Sequence, residues 1–350
     1  MEQYAGLDVS LESTSVCIVD ASGRVVRETK VASEPEVLVS LFQAHGVAMA
    51  RIGLEAGPLS QWLYAGMKAE GLPVELIETR HVRSAFKAMT VKTDRTDARG
   101  IAQLMRLGWF RQVHCKSLPA QEVRVLLTAR KLLQAKRHDV EMSVRGILRG
   151  FGLKVGPTTP KNYAIRVREL VAGHPVLSGV AEALLAAREV LLREFRTIEK
   201  RLLSQARADV RVRNLMTTPG VGAIVALTFA SAVDDPARFR SSRMVGAHFG
   251  LVPTKYQSGE TDVTGRISKV GDAAVRTALY EAANVMLTRT VKSSALKDWA
   301  LGVARRAGPK KAKVALARKL SVVLHQMMRS GETFSLTGRP FMGMVAGGKQ

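Results

Sequence analysis

The strongest constraint on the fold is a carboxylate inside an apolar stretch near the start of the chain. Residues 4–10 read Tyr-Ala-Gly-Leu-Asp-Val-Ser, a pattern typical of a buried strand that carries Asp8. Residues 15–20 and 25–31 predict two further strands, so the chain opens with three antiparallel strands. An ionised carboxylate is costly to bury unless a cation or hydrogen-bond donors compensate it. Asp8 therefore predicts a sheet with a charged site, and a divalent metal ion is the simplest compensation.

A second acid, Glu55, lies at the end of the next predicted strand, within residues 48–58. Ligand groups collect at the carboxyl ends of strands in α/β sheets. Predicted helices at 34–45 and 59–70 alternate with this strand and with another at 74–77. This order of elements is that of an RNase-H-like α/β fold. An actin-like ATPase or sugar-kinase fold is the alternative, but it needs a second Asp-x-Gly phosphate loop that the downstream sequence does not offer in a strand context.

Two further acids, Asp94 and Asp97, lie three residues apart at a predicted helix start that Thr93 can cap. They face the same side of the helix, and carboxylates this close repel each other unless a divalent cation lies between them. With Asp8 and Glu55 they form the acid set of a two-metal nuclease site. For the pair alone, an ordinary capped helix with exposed acids is the alternative. Cations that suit an approaching phosphate flank the pair, namely Lys92, Arg95 and Arg99.

The net charge of +23 is unevenly distributed. Residues 1–79 contain 5 Lys and Arg against 11 Asp and Glu, whereas residues 80–150 contain 16 against 5. An acidic region surrounded by cations suits a polyanion that approaches a metal site, so nucleic acid is the predicted partner. A basic protein charged for solubility or for an anionic membrane is the alternative. Because no apolar run reaches the ~18 residues of a membrane helix, we expect a cytoplasmic, nucleoid-associated protein without a membrane partner.

The middle of the chain is predicted to be helical. Residues 121–149 and 179–212 each carry an apolar stripe at helical spacing, with Arg and Lys on the other faces. Gly156, Pro157 and Pro160 lie between them and predict a loop. Two long helices across a connection predict an antiparallel, coiled-coil-like arm. The stripes serve either packing within the chain or self-association, and the pattern leaves both open.

The C-terminal region contains a Gly-rich turn and a Ser-Gly turn. The Pro-Gly-x-Gly sequence before an apolar helix resembles a helix-hairpin-helix turn, whose backbone N–H groups can hold a DNA phosphate; a simple turn is the alternative. Ser258 lies in a predicted exposed turn, with Arg266 and Lys269 a short loop away. A serine beside a clamped phosphate can act as a nucleophile. The predicted nucleic-acid contacts of this region are Thr218, Gly220, Gly222, Arg266 and Lys269.

In this combination and order, the motifs resemble the DEDD-type insertion-sequence transposases, a family of bridge-RNA-guided serine recombinases. The resemblance rests on the four acids, on the helical middle and on the sequences Thr-Pro-Gly-Val-Gly, Ser-Gly and Gly-Arg-Ile-Ser-Lys. It covers nearly the whole chain and implies a RuvC-like domain over residues 4–150 and a transposase domain over 216–300. One departure is Ser268, where the family usually has threonine.

The resemblance also implies a mechanism and partners. In this family the four acids bind Mg²⁺, with Mn²⁺ as an alternative ion, and the serine, here Ser258, attacks DNA to form a covalent phosphoserine link. Donor and target DNA are the implied substrates, and a non-coding bridge RNA pairs with both. The implied active form is a dimer or tetramer, in which the acids of one subunit meet the serine of another.

The sequence therefore predicts four segments. These are an RNase-H-like (RuvC-like) catalytic domain at 1–118, a helical arm at 119–214, a mainly α transposase domain at 215–338 and a loose tail at 339–350. Two alternatives to a transposase remain. A junction-specific endonuclease that uses water as its nucleophile needs the four acids but not Ser258, and a basic nucleic-acid-binding scaffold needs neither.

Overall fold

The computed structural model describes residues 2–87 and 93–337. The chain forms two compact units, Met1–Lys116 and Ser117–Gln350. Lys92 and the predicted C-terminal tail lie outside the described residues. The first unit combines a sheet with helices and the second is rich in helix, as the sequence predicts. The predicted division into four segments stays a prediction.

The first unit is built on a five-stranded mixed sheet. Its strands are β1 (Gln3–Val9), β2 (Ser13–Asp20), β3 (Val25–Ala32), β4 (Met49–Glu55) and β5 (Val74–Ile77). Their order is β3-β2-β1-β4-β5. β2 pairs antiparallel with β1 and β3, whereas β4 is parallel to both β1 and β5. Short turns are enough to join the antiparallel strands β1, β2 and β3. The parallel strands β4 and β5 need crossover connections, so the helices begin only after β3.

Helices cover both faces of this sheet. They are α1 (Pro35–His45), α2 (Ser60–Ala69), α3 (Thr79–Phe86) and α4 (Asp94–Leu107). Because side chains alternate along β1, Leu7 packs in one core with Leu38 of α1 and Leu63 of α2. Tyr4 belongs to the opposite core, together with Ile101 of α4. The first unit is therefore a three-layer α/β/α sandwich, whose strand ends are the natural place for a site.

Two glycines let α4 approach the sheet closely. A Cβ atom on Gly6 of β1 would lie 2.2 Å from the backbone oxygen of Ala98 and 2.3 Å from the backbone nitrogen of Ala102. A Cβ atom on Gly53 of β4 would lie 2.7 Å from the side chain of Met105. A larger residue at Gly6 would displace the α4 backbone, and one at Gly53 would displace the Met105 side chain, so α4 lies directly on β1 and β4.

The second unit consists of helices and one hairpin. The main core joins Leu202 to Phe229 and Leu320, so the end of the second long helix shares a core with the helices that follow it. None of the described helices combines the length and the apolar composition that a membrane crossing requires. The main elements are α5 (Leu118–Gly150), α6 (Tyr163–Val171), α7 (Pro175–Ala208), α8 (Val210–Met216), α9 (Ala223–Val233), α10 (Arg243–His248), β6 (Pro253–Ser258), β7 (Thr261–Ile267), α11 (Ala273–Thr288), α12 (Ala295–Ala307) and α13 (Pro309–Ser330).

α5 and α7 form an antiparallel arm within one chain. Arg130 of α5 pairs with Glu199 of α7 at 2.7 Å, and further along α5 Glu141 pairs with Arg188, also at 2.7 Å. Arg188 is 3% exposed and donates a second hydrogen bond, of 2.9 Å, to the carbonyl of Pro160. A buried cation with this many partners fixes how the two helices meet. Self-association through the arm stays a hypothesis.

The second arm helix ends earlier than its sequence pattern predicts. The apolar stripe continues through Val212, but α7 ends at Ala208. Asp209 has extended backbone angles, and its carboxylate accepts hydrogen bonds from the backbone N–H groups of Arg211 (2.8 Å) and Val212 (3.4 Å). Asp209 therefore caps a new helix, α8. The periodicity hid this break because both helices bury their apolar residues in the same core.

Candidate active site

Asp8 and Glu55 lie next to each other at the carboxyl ends of two parallel strands. Leu7 of β1 is in register with Leu54 of β4, and each acid is the next residue along its strand. Adjacent strands are ~4.8 Å apart, so the two carboxylates can reach a common point. Both acids point to the face that α4 covers, because the glycines that contact α4 precede them by two residues. Both are partly buried.

The helical acids lie at a capped helix start, as predicted. The backbone N–H of Thr96 donates to Thr93 Oγ1 at 3.2 Å, and the backbone N–H of Thr93 donates to Thr96 Oγ1 at 2.9 Å. This reciprocal capping box fixes the first turn of α4, which carries Asp94 and Asp97. Acidic residues in the first turn complement the positive end of the helix dipole.

The two helical acids have different neighbours. Asp97 is partly buried and precedes Ala98, whose backbone contacts β1, the strand of Asp8. Asp94 is exposed, and its carboxylate lies 3.4 Å from Lys30 Nζ on β3, two strands from β1. Within the described part of the chain, no three His, Cys, Asp or Glu side chains form a group that could hold a metal ion. The predicted acids therefore gather at one end of the sheet without closing into a coordination shell.

The chemistry of these acids nevertheless fits a hard divalent cation. Carboxylate oxygens are the ligands that Mg²⁺ and Mn²⁺ prefer in proteins. Asp8, Glu55 and Asp97 offer them from two strands and a facing helix. Asp94 can join them only if its ion pair with Lys30 opens. Both side chains of that pair are more than half exposed, so opening it costs about 1 kcal/mol or less.

Arg95 and Arg99, which we predicted to meet a phosphate, are both bound to Glu28 of β3. Arg95 Nε donates to one carboxylate oxygen of Glu28 at 2.5 Å, and Arg99 Nη2 donates to the other at 2.9 Å. The hydrogen bond from Arg95, together with that from Arg99, holds the pKa of Glu28 below its usual range. The same contact raises the pKa of Arg95. A carboxylate therefore takes the place that we predicted for a phosphate, and the sequence analysis missed it.

Glu28 and Arg95 line a groove of about 590 Å³ beside the first turn of α4. Ser15, Glu28, Lys30 and Asp94 form part of its wall. Cys17, at its base, is 1% exposed, and burial, with a smaller contribution from Glu28, raises the pKa of the thiol to about 11. The thiol is therefore protonated at neutral pH and is not a nucleophile. The chemistry of this groove rests on its carboxylates and cations.

The Gly-rich turn between α8 and α9 packs into the core of the second unit. Thr218 is 1% exposed, and its hydroxyl donates to Met327 Sδ at 3.4 Å. A Cβ atom on Gly220, whose φ is +83°, would lie 2.4 Å from the backbone oxygen of Ala282. The Thr218 side chain is therefore a core contact, and Gly220 allows close packing on α11. Contact of the backbone of Thr218 and Gly220 with DNA stays a prediction. Gly222 is exposed at the start of α9, where a phosphate contact stays a prediction.

Ser258 is exposed, as predicted, and is the last residue of a strand at the tip of a hairpin. β6 and β7 pair antiparallel, with Ser258 opposite Thr261. The two-residue connection begins with Gly259, whose φ of +56° suits a tight hairpin turn. All six side chains of β6 are exposed, so the strand lacks the apolar alternation by which a sequence predicts a strand. The hairpin presents the Ser258 hydroxyl to solvent.

Arg266 and Lys269 lie at the opposite end of this hairpin from Ser258. The hydroxyl of Thr254, near the start of β6, donates to the carbonyl of Arg266 at 3.2 Å. Thr254 and Ser258 are four residues apart on β6, so the contact with Arg266 lies roughly 13 Å along the strand from Ser258. Contrary to the prediction, the structure does not bring these cations to the serine. They line a different groove of the second unit.

The five-stranded mixed sheet with helices on both faces, and the two acids at the ends of neighbouring parallel strands, are consistent with the predicted RNase-H-like domain. Comparison with known proteins makes this class specific. A DEDD transposase model of the IS110 group matches residues 5–152, and the Transposase IS116/IS110/IS902 family matches residues 212–297. The transposase for insertion sequence element IS1111A of Coxiella burnetii is 30% identical over 341 residues, 94% of this chain and 90% of the relative. The transposase for insertion sequence element IS1328 of Yersinia enterocolitica is 28% identical over 76% of this chain and 79% of the relative.

The chain belongs to the IS110 family of DEDD insertion-sequence transposases, which are DNA-cleaving and strand-transferring enzymes. The resemblance to DEDD insertion-sequence transposases is therefore confirmed, whereas the bridge RNA and the serine chemistry stay predictions. A solved structure of T. thermophilus RuvC in complex with Holliday junction substrate aligns at 12% identity with a TM-score of 0.26, over 32% of this chain and all of that chain. At that TM-score the superposition is too poor to define a shared fold, so the family assignment rests on the sequence relatives.

Proposed function

We propose that this transposase cleaves and exchanges DNA strands at a divalent-metal site formed by Asp8, Glu55, Asp94 and Asp97. The observation that supports this most is the register of β1 and β4, which sets Asp8 beside Glu55 on the face covered by α4. Mg²⁺, or Mn²⁺ in its place, is the ion that these carboxylates would hold, and it supplies positive charge that stabilises the transferring phosphate. The acids would position the scissile phosphate at the carboxyl ends of the strands.

Arg95 and Arg99 would orient the DNA backbone once they leave Glu28. A guanidinium group binds a phosphate as well as a carboxylate, and through the same paired N–H groups. DNA that enters the groove can therefore exchange with Glu28 for these two cations. Lys92, which lies outside the described residues, keeps its predicted role on the same phosphate.

We further propose Ser258 as the nucleophile. Its Oγ would form a bond to phosphorus as the bond from phosphorus to the leaving deoxyribose oxygen breaks, and the proton lost from the serine would be balanced by one gained by that oxygen. Exposure at a hairpin tip supports this role, because DNA can reach the hydroxyl. The distance from Arg266 and Lys269 favours the second candidate, attack by water at the acid site alone.

Donor and target DNA, a bridge RNA and a second subunit are the partners that we infer for this chemistry. The net charge of +23 supports polyanionic partners. The exposed hairpin supports a serine that meets the acids of another subunit. A dimer or a tetramer would satisfy this arrangement.

The test is cleavage of DNA from the element's own ends, with Mg²⁺ and the flanking RNA transcript. Wild type is compared with Asp8→Asn and Ser258→Ala, and protein–DNA adducts are scored on a denaturing gel. Thr261→Ala is the matched control, because it removes an exposed hydroxyl directly across the hairpin from Ser258. We expect wild type and the control to form an adduct that the other two variants lose.

Two outcomes would change the proposal. Cutting by Ser258→Ala without any adduct would replace the serine by water as nucleophile and leave the acid site intact. Cutting by Asp8→Asn at the wild-type rate would remove the acid site from the chemistry. Omission of the transcript, in the same assay, reports whether RNA is required.

A further inference from the structure

The second unit contains a groove of about 1630 Å³ that the proposed strand cleavage does not use. β7, α12 and α13 contribute to it, together with residues 332–336 after α13. Glu332 is the one carboxylate among its described lining residues. Trp299 and Phe334 belong to its apolar surface. The cations that line it are Arg243, Arg266, Lys269, Lys310, Lys311 and Arg318, with Lys319 deeper inside.

Lys319 and Trp299 form the centre of this groove. The Lys319 ammonium lies 4.1 Å from the centroid of the Trp299 ring. Burial lowers the pKa of Lys319, and the neighbour of its ammonium among the described residues is this ring instead of a carboxylate. A partly desolvated cation without an acidic partner favours a nearby anion. The aromatic ring beside it favours a flat, apolar group.

A third observation comes from Gln326, which also lines the groove. Its Oε1 atom is buried and receives no hydrogen bond from any residue that the structure describes. A buried acceptor of this kind is destabilising until a donor reaches it.

We propose that this groove binds single-stranded DNA, with a base against Trp299 and phosphates on Lys319 and the surrounding cations. Cationic grooves that contain aromatic side chains hold single strands, because every base has a face that can stack. A duplex keeps its bases stacked inside, so it would reach the outer cations without reaching Trp299. The choice of DNA rests on the proposed function, since strand exchange leaves a strand unpaired.

Binding is measured by fluorescence anisotropy with a labelled oligothymidine of about 12 nucleotides, in EDTA so that no strand is cut. Trp299→Ala and Lys319→Met should each weaken binding about tenfold. Lys292→Met is the matched control, because Lys292 is an exposed cation of the same unit outside the groove. Its effect should be less than about twofold.

Trp299 also packs against the core, so Trp299→Ala could act through folding. Trp299→Phe keeps an aromatic ring and should retain binding within about threefold. Photocrosslinking reports direct contact between DNA and Trp299, which a purely structural role of Trp299 would not produce. An oligonucleotide that carries 5-iododeoxyuridine should crosslink to the peptide that contains Trp299, and excess unlabelled oligothymidine should suppress that adduct.

The inference is wrong if Lys292→Met weakens binding as much as Lys319→Met, or if the crosslink maps outside the groove. It is also wrong if RNA or duplex DNA of equal length binds more tightly and loses as much affinity in Trp299→Ala. These measurements are made without cleavage. The binding assay and the cleavage assay therefore fail independently. If Asp8→Asn cuts DNA at the wild-type rate while the groove variants weaken binding, only the proposed function is wrong. If Asp8→Asn abolishes cutting while Trp299→Ala binds oligothymidine normally, only the groove is wrong.

Discussion

The acid site and the serine hairpin of this transposase are built in opposite ways. Asp8 and Glu55 lie on strands enclosed between helical layers, and Gly6 lets the backbone of α4 touch β1. Ser258 lies on a two-stranded hairpin whose first strand has every side chain exposed. Packing in two cores holds the strands of Asp8 and Glu55 in place, whereas backbone hydrogen bonds to β7 hold the strand of Ser258.

This difference teaches how the fold divides rigidity between the two proposed sites. Carboxylates that hold an ion must keep their positions to a fraction of an ångström, which a close-packed core provides. A two-stranded hairpin is only marginally stable alone, so its tip can move. A serine that must reach DNA held elsewhere benefits from such movement. The predictions below test whether rigidity and mobility are distributed in this way.

Asp8→Asn should have the largest effect. It removes a charge from the acid site with little change in shape, so cleavage should fall by at least about 10³-fold, ~4 kcal/mol at the barrier. The thermal unfolding midpoint should change little. Asp20→Asn is the control, because Asp20 is a partly buried carboxylate at the end of β2 that accepts hydrogen bonds within a local turn. Equal cleavage by both variants would contradict the acid site.

Gly6→Ala should have the largest effect on stability. Its Cβ atom would lie within 2.3 Å of the α4 backbone, so α4 must shift, at a cost of roughly 3 kcal/mol. Urea unfolding measures this loss, and cleavage should fall with it because α4 carries two of the acids. Gly146→Ala has open space around its Cβ atom and should be neutral or slightly stabilising. Equal stability of the two variants would show that α4 is not held as tightly as we infer.

Glu28→Gln should strengthen DNA binding. It removes the charge that competes with phosphate for Arg95 and Arg99, so affinity should rise about fivefold, ~1 kcal/mol. Filter binding or anisotropy with duplex DNA measures the change. Glu12→Gln alters the net charge equally from an exposed position and corrects for the general electrostatic effect. If Glu12→Gln gives the same gain, Glu28 does not compete for the arginines.

Glu28 also predicts a pH dependence of stability. Its pKa in the folded state is depressed by Arg95 and Arg99, so the fold stabilises the ionised carboxylate. That contribution is complete above the usual glutamate range and is lost as the pH falls through the depressed pKa. The difference in unfolding midpoint between wild type and Glu28→Gln should therefore shrink from neutral pH to about pH 3. A difference that stays constant would mean that the carboxylate charge is not what stabilises the contact.

Gly259→Ala should have the smallest effect. An alanine at φ +56° is strained by about 1 kcal/mol, which the hairpin alone should bear. Amide exchange in β6 and β7 should accelerate, while the global unfolding midpoint should stay unchanged. Glu260→Ala changes the same connection at a position without positive φ and should leave exchange as it is. A fall in the global midpoint would show that the hairpin belongs to the rigid core.

Local signals in the sequence predicted the positions of the acids well. A short apolar stretch located β1 with Asp8, and Thr93 marked the start of α4. An exposed strand and a cap inside an apolar stripe were predicted less well. The hairpin of Ser258 has no buried face, so it carries no alternation, and the cap at Asp209 lies inside a continuous apolar stripe. In both cases the spacing of apolar residues along the sequence does not mark where the strand or helix begins or ends.

The sequence by itself determined the class of site, because residue types, local periodicity and a helix cap are all properties of neighbouring residues. Only the tertiary structure decided which side chains meet. Arg95 binds Glu28, 67 residues earlier in the chain, and Arg266 lies far from Ser258 although only a short loop seemed to separate them. Such contacts depend on strand register and on how closely a helix can approach a sheet. Those are set by packing between distant segments, which no local pattern encodes.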